Sequence, residues 1–374
     1  MSEPAPSVPG ARLTIDLDAL AHNHAVLCAE AAQGQTGGAE VAPVMKSDGY
    51  GLGAGPVARR LWAEGARSFF VARLDEGEAL RAALTPARTA TIYVLDGMTE
   101  GAGPRMTHAA LTPALCSLQQ IAVASAHAAE TGRPLPVALN IDTGMSRQGL
   151  TAEEARAVVQ SIDRLRGLEV GLVMSHLGSA AEAENPRNAR QLARFLDVRA
   201  LFPGARASLA ASAGLFLGPD YRFDLVRPGI SLFGGGPLER PDARLHAVAT
   251  LTAPILDVRN LRPGDILGYG DSVRIDASTR VAVVGAGYTD GVIRAAKGAG
   301  HAWFAGALRR LLIVNMDILV IEIGDAEADV GQPVELLGPN ALLDDLAAAG
   351  GTVAHEILVR LSRRAERAYL GESG

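Results

Sequence analysis

Cysteine is nearly absent from this 374-residue sequence: only Cys28 and Cys116 occur, in neither a metal-ligand nor a CxxC spacing. A disulfide scaffold and a cysteine metal centre are thereby excluded, and a reducing compartment fits best. There is also no block of one charge. The 35 basic and 41 acidic residues are scattered, for a net charge of -6, which leaves no electrostatic footprint for nucleic acid or an anionic membrane. Long apolar runs are lacking too. The most apolar stretch, Leu311–Ile323, is broken by Asn315, Asp317 and Glu322 and is too short to span a bilayer. Met1–Gly10 is polar and proline-containing, without the basic start and apolar run of a signal peptide. The expectation is a cytoplasmic protein whose partner is a small molecule.

What is present is the composition of a folded chain, 48% hydrophobic and 20% charged, with length enough for two domains. From about Val41 to about Gly234 a short apolar run, a polar or glycine turn and a longer Ala/Leu/Arg-rich stretch recur. That alternation predicts parallel strands with crossover helices. The expected strands are Val41–Met45, Phe69–Ala72, Thr91–Leu95, Ala114–Ser117, Val137–Ile141, Glu169–Met174, Ala207–Leu209 and Asp224–Val226. Eight strands close a (β/α)8 barrel. Ala54–Glu64, Asp75–Ala83, Ser117–Thr131, Ala152–Leu165 and Asn188–Leu201 have helical spacing and would form the outer ring.

After about Leu238 the pattern changes to β-type runs, Ala249–Leu261, Arg280–Gly287, Leu311–Ile323 and Val334–Gly338, with one helix over Leu342–Ala349. Turns such as Arg262-Pro263-Gly264-Asp265 separate them. The reading is therefore an α/β barrel over 12–238 and a mainly antiparallel β domain over 239–374, with residues 1–11 extended or unstructured. The run Arg12–Leu17 suits a strand in either domain.

In such a barrel the side chains just beyond the carboxyl ends of the strands converge on one face. Here they are Lys46, Arg73, Asp96, Asp142 to Arg147, His176, Ser212 and Arg227. Lys46 ends a buried strand, where desolvation lowers an ammonium pKa and permits Schiff-base chemistry with an aldehyde. It is followed by Ser47-Asp48-Gly49-Tyr50-Gly51-Leu52-Gly53, a glycine-rich turn open to close approach by a ligand, with a tyrosine hydroxyl for a phosphate. Arg147 leaves a turn with two glycines, and its planar fork suits a carboxylate or phenolate. Ala211-Ser212-Ala213-Gly214 and Arg227-Pro228-Gly229-Ile230 follow the last two strands, where barrels commonly bind phosphate. In the second domain Gly268-Tyr269-Gly270, Gly287-Tyr288-Thr289-Asp290-Gly291 and Asn315-Met316-Asp317 are candidates for chemistry. Taken singly, each of these residues also fits an ordinary packing or surface role.

Together and in order, these segments resemble the alanine racemase family over about Arg12 to Tyr369. The strongest matches are Val44–Gly51, Asp142–Arg147, Val226–Gly234, Gly268–Gly270 and Gly287–Gly291. The resemblance implies pyridoxal 5'-phosphate (PLP) as cofactor and no metal. Lys46 would carry it, Tyr50, Ser212, Gly229 and Ile230 would contact its phosphate, and Arg227 would donate to its pyridine nitrogen. Tyr269 would be the second catalytic base, reaching in from the partner of a homodimer, with His176 and Arg147 in its hydrogen-bond network. Arg147 and Met316 would contact the substrate carboxylate, and Tyr288 and Asp317 would line the entrance.

The chain departs from the family pattern at four places. Leu52 stands for a common histidine, and Asn140 for a modified lysine that supports the arginine. Leu311–Asn315 replaces a Gly-Arg-x-Cys-like lead-in to Met316, and Arg363 stands for a phosphate-contacting tyrosine. The expected activity is interconversion of L- and D-alanine. The competing readings are a broad-specificity or serine racemase, a PLP-dependent decarboxylase of the same architecture, and a non-catalytic PLP-binding protein.

Overall fold

The computed structural model describes residues 10–34, 38–85, 88–270 and 273–371; the expected unstructured start falls mostly on residues 1–9, outside the described residues. Two compact units emerge, one of Ala21–Leu232 and one of residues up to Leu20 together with Phe233–Gly374.

The first unit is the expected ring of parallel strands. Ser68–Val71, Thr91–Val94, Leu111–Leu115, Leu135–Asn140, Leu168–Met174 and Arg206–Ser208 form one parallel sheet in chain order. Glu40–Val41 pairs with Leu225–Val226, and single parallel bridges, Val44 to Phe70 and Ala211 to Arg227, join that pair to both edges of the sheet. Among these strands Ser68–Val71 and Leu111–Leu115 are buried at every position, so both of their faces are covered. Phe69 and Phe70 are fully buried, and Phe70 stacks on Tyr93 with ring centroids 4.5 Å apart. Each such side chain contributes about 2–3 kcal/mol of hydrophobic stabilisation.

The outer helices begin where their capping chemistry allows. Ser117 accepts the Gln120 amide ahead of Leu118–Thr131, Thr151 and Glu154 form a capping box ahead of Ala152–Gln160, and Asn185 accepts the Arg187 amide ahead of Pro186–Arg199. The stretch expected as one helix, Ala152–Leu165, breaks at Ser161 into an α-helix and a short 3-10 turn, Ile162–Leu165.

In the second unit Ala249–Leu261, Thr279–Val284, Leu319–Glu322, Ala307–Val314, His301–Phe304 and Pro333–Leu337 are neighbours in that order, and the last returns to the first. This is a closed, mainly antiparallel barrel. Ala249–Leu261 pairs with three strands, Arg12–Asp16, Pro333–Leu337 and Thr279–Val284, and a register shift between Ile255 and Asp257 turns it toward the last. Val281, Leu312, Ile313 and Val320 are buried together at its centre. The first strand, Arg12–Asp16, is part of this unit, antiparallel to Ala249–Thr252 and parallel to Glu366–Leu370.

The run Leu311–Ile323, read as one strand, is two. The polar triplet Asn315-Met316-Asp317 that interrupts it is the tip of a hairpin closed by Asn315 N–H to Ile318 O at 2.9 Å. Among the described residues no helix is long and apolar enough to cross a membrane, and no group of three or more His, Cys, Asp or Glu is arranged to hold a metal ion.

Candidate active site

Lys46 sits at the carboxyl end of the first barrel strand, half-buried. Burial lowers its pKa, the Arg147 guanidinium lowers it further, and Glu76 opposes with a raising effect. Directly after it the chain makes one left-handed turn: Ser47, Asp48, Gly49 and Tyr50 have φ of 55°, 55°, 63° and 56°. Only glycine takes this conformation freely, and each other residue costs about 1–2 kcal/mol there. The turn is held by Gly49 N–H to Met45 O at 3.0 Å and Gly51 N–H to Ser47 O at 2.7 Å. Ser47 N–H donates to Glu76 Oε1 at 2.7 Å, and Ala54 N–H to Asp48 Oδ1 at 2.8 Å. The same Glu76 accepts the Ala72 and Arg73 amides through Oε2 at 2.8 and 3.2 Å, so it ties the second strand's end to the lysine turn.

The turn delivers Tyr50 into the barrel mouth, 4% exposed. Burial raises the pKa of its phenol, which therefore remains a donor at neutral pH. Around it, Ser212 Oγ accepts the amides of Gly229 at 3.0 Å and Ser231 at 3.3 Å. The buried Ser231 Oγ has no hydrogen-bond partner. A β-carbon on Gly229 would lie 2.0 Å from the Tyr50 oxygen. Tyr50, Ser212, Gly229 and Ser231 thus come together, with Ile230 between the last two in the chain.

Arg227 is 4% exposed and makes its hydrogen bonds to Ser208 Oγ, to Ser175 O at 2.5 Å and to Leu209 O at 3.5 Å. Its guanidinium lies over the Phe70 ring at 5.8 Å. Burial lowers its pKa to about 10, which leaves it a cation at neutral pH. His176 is half-buried at the end of Leu168–Met174. Arg147 is exposed on the loop after Leu135–Asn140, and that loop is shaped by Asp142 Oδ1, which accepts the amides of Gly144, Met145 and Ser146 at 2.8, 2.9 and 3.1 Å. Those bonds hold the Asp142 carboxyl below its ordinary pKa although burial opposes them.

In the second unit Tyr288, Met316 and Asp317 come together: Tyr288 N–H donates to Asn315 O at 2.9 Å, and Thr289 Oγ1 to Met316 O at 2.7 Å. Arg364 bridges Asp317 at 2.5 Å and the buried Asp290 at 2.9 and 3.0 Å. Tyr269 lies between the short strands Ile266–Leu267 and Val273–Arg274, with 82% of its surface exposed. Its neighbours Asp271 and Ser272 lie outside the described residues.

Residues 15–237 match the family described as alanine racemase, N-terminal domain, and residues 248–369 match alanine racemase, C-terminal domain. The chain belongs to the alanine racemase family. It is 40% identical to a catabolic alanine racemase of Agrobacterium fabrum, over 96% of this chain and 92% of that one. It is 41% identical to an alanine racemase of Methylobacterium sp. strain 4-46, over 98% and 99%. Among solved structures, the alanine racemase from Bartonella henselae with covalently bound pyridoxal phosphate superposes with a TM-score of 0.89 at 32% identity, covering 98% of this chain and all of that one.

The departures from the alanine racemase pattern have structural partners. Asn140 directs its amide to Cys116 Sγ at 3.6 Å and to Gln148 O at 3.5 Å, so it holds the residue following Arg147. Leu52 is fully buried, and Arg363 is exposed. Of the strand-end residues, Arg73 starts the helix Leu74–Leu84 and Asp96 is exposed, its carbonyl bound by Gln120. Sequence reasoning missed Glu76, Ser175, Ser208 and Gln191. Glu76 and Gln191 lie inside helices, where only a polar residue on a buried helical face signals them.

Proposed function

We propose that this chain interconverts L- and D-alanine with PLP as cofactor, Lys46 and Tyr269 acting as the two bases. The observation that carries the site assignment is the juxtaposition of a lysine of lowered pKa with the cup of Tyr50, Ser212, Gly229 and Ile230 and the buried cation Arg227. Those groups fit the cofactor. The cup offers a phenol, a serine hydroxyl, the unpartnered Ser231 Oγ and backbone amides to a phosphate, and Gly229 leaves room because it carries no β-carbon. Relatives of 40% identity bear the name alanine racemase.

When bound, PLP supplies an electron sink that acidifies the Cα–H of an amino acid. The protein's part is placement and proton transfer. Lys46, whose pKa is lowered by burial and by Arg147, would take the proton from one face of Cα, and Tyr269 would return one to the opposite face. One base alone would have to swing around the substrate. Arg147 and Met316 would each contact the substrate carboxylate, and Tyr288 and Asp317 would line the entrance. Arg227, a guanidinium with donors and no acceptor, would donate to the cofactor's ring nitrogen, which would disfavour a protonated ring and so limit side reactions.

The working unit is a cytoplasmic homodimer in which Tyr269 comes from the partner subunit. The test is incubation with PLP and a panel of L-amino acids in deuterium oxide. Loss of optical activity with deuterium at Cα, fastest for alanine, is the expected result. Carbon dioxide release from lysine or ornithine would favour the decarboxylase, faster exchange on serine a serine racemase, and PLP binding without exchange a non-catalytic carrier.

A further inference from the structure

The helix Pro186–Arg199 lies outside every motif that points to the reaction, yet one of its faces is committed to the catalytic loops. Arg187, Gln191 and Arg194 recur at helical spacing and so share a face. Arg187 Nη2 donates to Gly144 O at 2.9 Å and Arg194 Nη1 to Thr143 O at 3.2 Å. Gln191, between them, is 1% exposed. Its Nε2 donates to His176 O at 2.9 Å and to Thr143 Oγ1 at 3.3 Å, and its Oε1 accepts the Gly178 amide at 2.8 Å. Thr143 Oγ1 in turn meets Ser175 Oγ at 2.8 Å, and the Ser175 carbonyl accepts from Arg227. One amide side chain therefore joins the loop that carries Arg147, the strand end that carries His176 and, through Ser175, the buried Arg227.

A buried glutamine with three hydrogen bonds is costly to leave unpaired, so it fixes the segments it joins rather than filling space. Arg147 itself is exposed on a loop and has no such packing of its own. We infer that Gln191 is a positioning residue that sets the Arg147 loop and the His176 strand end in register with each other. This rests on the roles proposed above for Arg147 and His176. It adds that substrate-carboxylate binding depends on a residue remote from the substrate. A misplacement of about 1 Å at a binding group can cost 100-fold in rate.

The test uses the holoenzyme with Gln191→Leu, Gln191→Glu, Arg147→Lys and, as a control on the same helix, the exposed Arg190→Ala. Gln191→Leu is expected to raise KM for L-alanine by about tenfold, on the scale of such misplacements, with a smaller loss in kcat. Amide hydrogen exchange should accelerate in the segments 142–148 and 176–180 and stay unchanged in the other barrel strands. Gln191→Glu keeps the acceptor for the Gly178 amide and loses the donors. It should raise KM while Gly178 stays protected, and it carries the test if the leucine variant does not fold. Arg190→Ala should match the wild type.

Unchanged KM in the folded Gln191 variants, or a fall in kcat alone with exchange accelerated throughout the barrel, overturns the inference. Arg147→Lys separates this from failure of the underlying reading. If it raises KM and the Gln191 variants do not, only the positioning role is lost. If it leaves KM unchanged, the assignment of Arg147 falls first.

Discussion

The phenol oxygen of Tyr50 lies 2.0 Å from the point where a β-carbon on Gly229 would stand. The tyrosine is fixed by the left-handed turn behind it and is buried, so it has little room to retreat. Gly229→Ala must push the hydroxyl out of the proposed phosphate cup or shift the Gly229 amide off Ser212. The expected outcome is a cofactor dissociation constant raised about tenfold to a hundredfold, or about 1.4–2.8 kcal/mol, with L-alanine KM measured at saturating PLP much less affected. Absorbance titration with PLP checks it.

Lys46 supplies a pH prediction. Its pKa is lowered by burial first and by the Arg147 guanidinium second, with Glu76 acting the other way. A lysine with a lowered pKa becomes a neutral amine at lower pH than a free one. Arg147→Gln removes a lowering effect, so the pKa rises and the pH midpoint for aldehyde trapping by cofactor-free protein moves up. Glu76→Gln removes a raising effect and moves the midpoint down. Reductive trapping at Lys46 across a pH series, read by mass spectrometry, checks both signs. Shifts of equal sign in the two variants would show that altered burial of Lys46 and not charge controls it.

Arg227 is a buried cation whose partners are a serine hydroxyl and backbone carbonyls, with no carboxylate among them. Arg227→Glu replaces its donors with an acceptor, so the ring nitrogen of bound PLP gains a proton partner. Transamination of alanine is expected to rise at least about tenfold relative to racemisation, a shift of roughly 1.4 kcal/mol, detected as pyruvate formation. The same substitution leaves the carbonyls of Ser175 and Leu209 facing a carboxylate. A stability loss of at least about 2 kcal/mol by denaturant unfolding is expected, because buried carbonyls lose their donor and a carboxylate takes a site that has no donor for it.

Much of this was legible because the chemistry sits at strand ends. Eight apolar runs, each closed by a polar or glycine turn, carried the ring topology, and Lys46, His176, Ser212 and Arg227 could be read as strand-end residues from position alone. The left-handed sense of Ser47–Tyr50 was not legible, since a single glycine in four residues does not announce three strained neighbours. Gln191 and Glu76 were hidden for a different reason: each lies within a helix, and each reaches a segment remote in the chain, Gln191 to Thr143 and Glu76 to Ser47, for which a sequence has no pattern. The strands His301–Phe304 and Glu366–Leu370 escaped because four or five residues of mixed polarity show too little alternation to stand out, and the latter is held by pairing with Arg12–Asp16.

In the second unit Arg364 is shared by Asp290, 1% exposed, and Asp317 at the proposed entrance. Asp290 also accepts the Gly287 amide at 2.9 Å, which shapes the turn bearing Tyr288. Arg364→Met leaves a buried carboxylate without its cation. A loss of about 1–3 kcal/mol is expected, since Asp290 is buried but Arg364 is 46% exposed, together with a raised KM because Asp317 and the Tyr288 turn lose a common anchor. Asp290→Asn in the Arg364→Met background should recover part of the stability, since it removes the orphaned charge, and none of the KM. Chemical unfolding and steady-state kinetics on the three variants separate the two effects.

The exposure of Tyr269 bears on assembly. A phenol that exchanges a proton with Cα must work where water is excluded, yet 82% of this residue is open in the single chain. A second subunit laid over it would meet that need, and by two-fold symmetry would place each Tyr269 over the other subunit's Lys46. Lys46→Ala and Tyr269→Ala homodimers should then both be inactive. In a 1:1 mixture half of the dimers are hybrids, and each hybrid holds one complete site, so about a quarter of wild-type activity should return after subunit exchange. Exchange demonstrated by differently tagged chains, with no activity recovered, would place both bases in one chain and require a different cover for Tyr269.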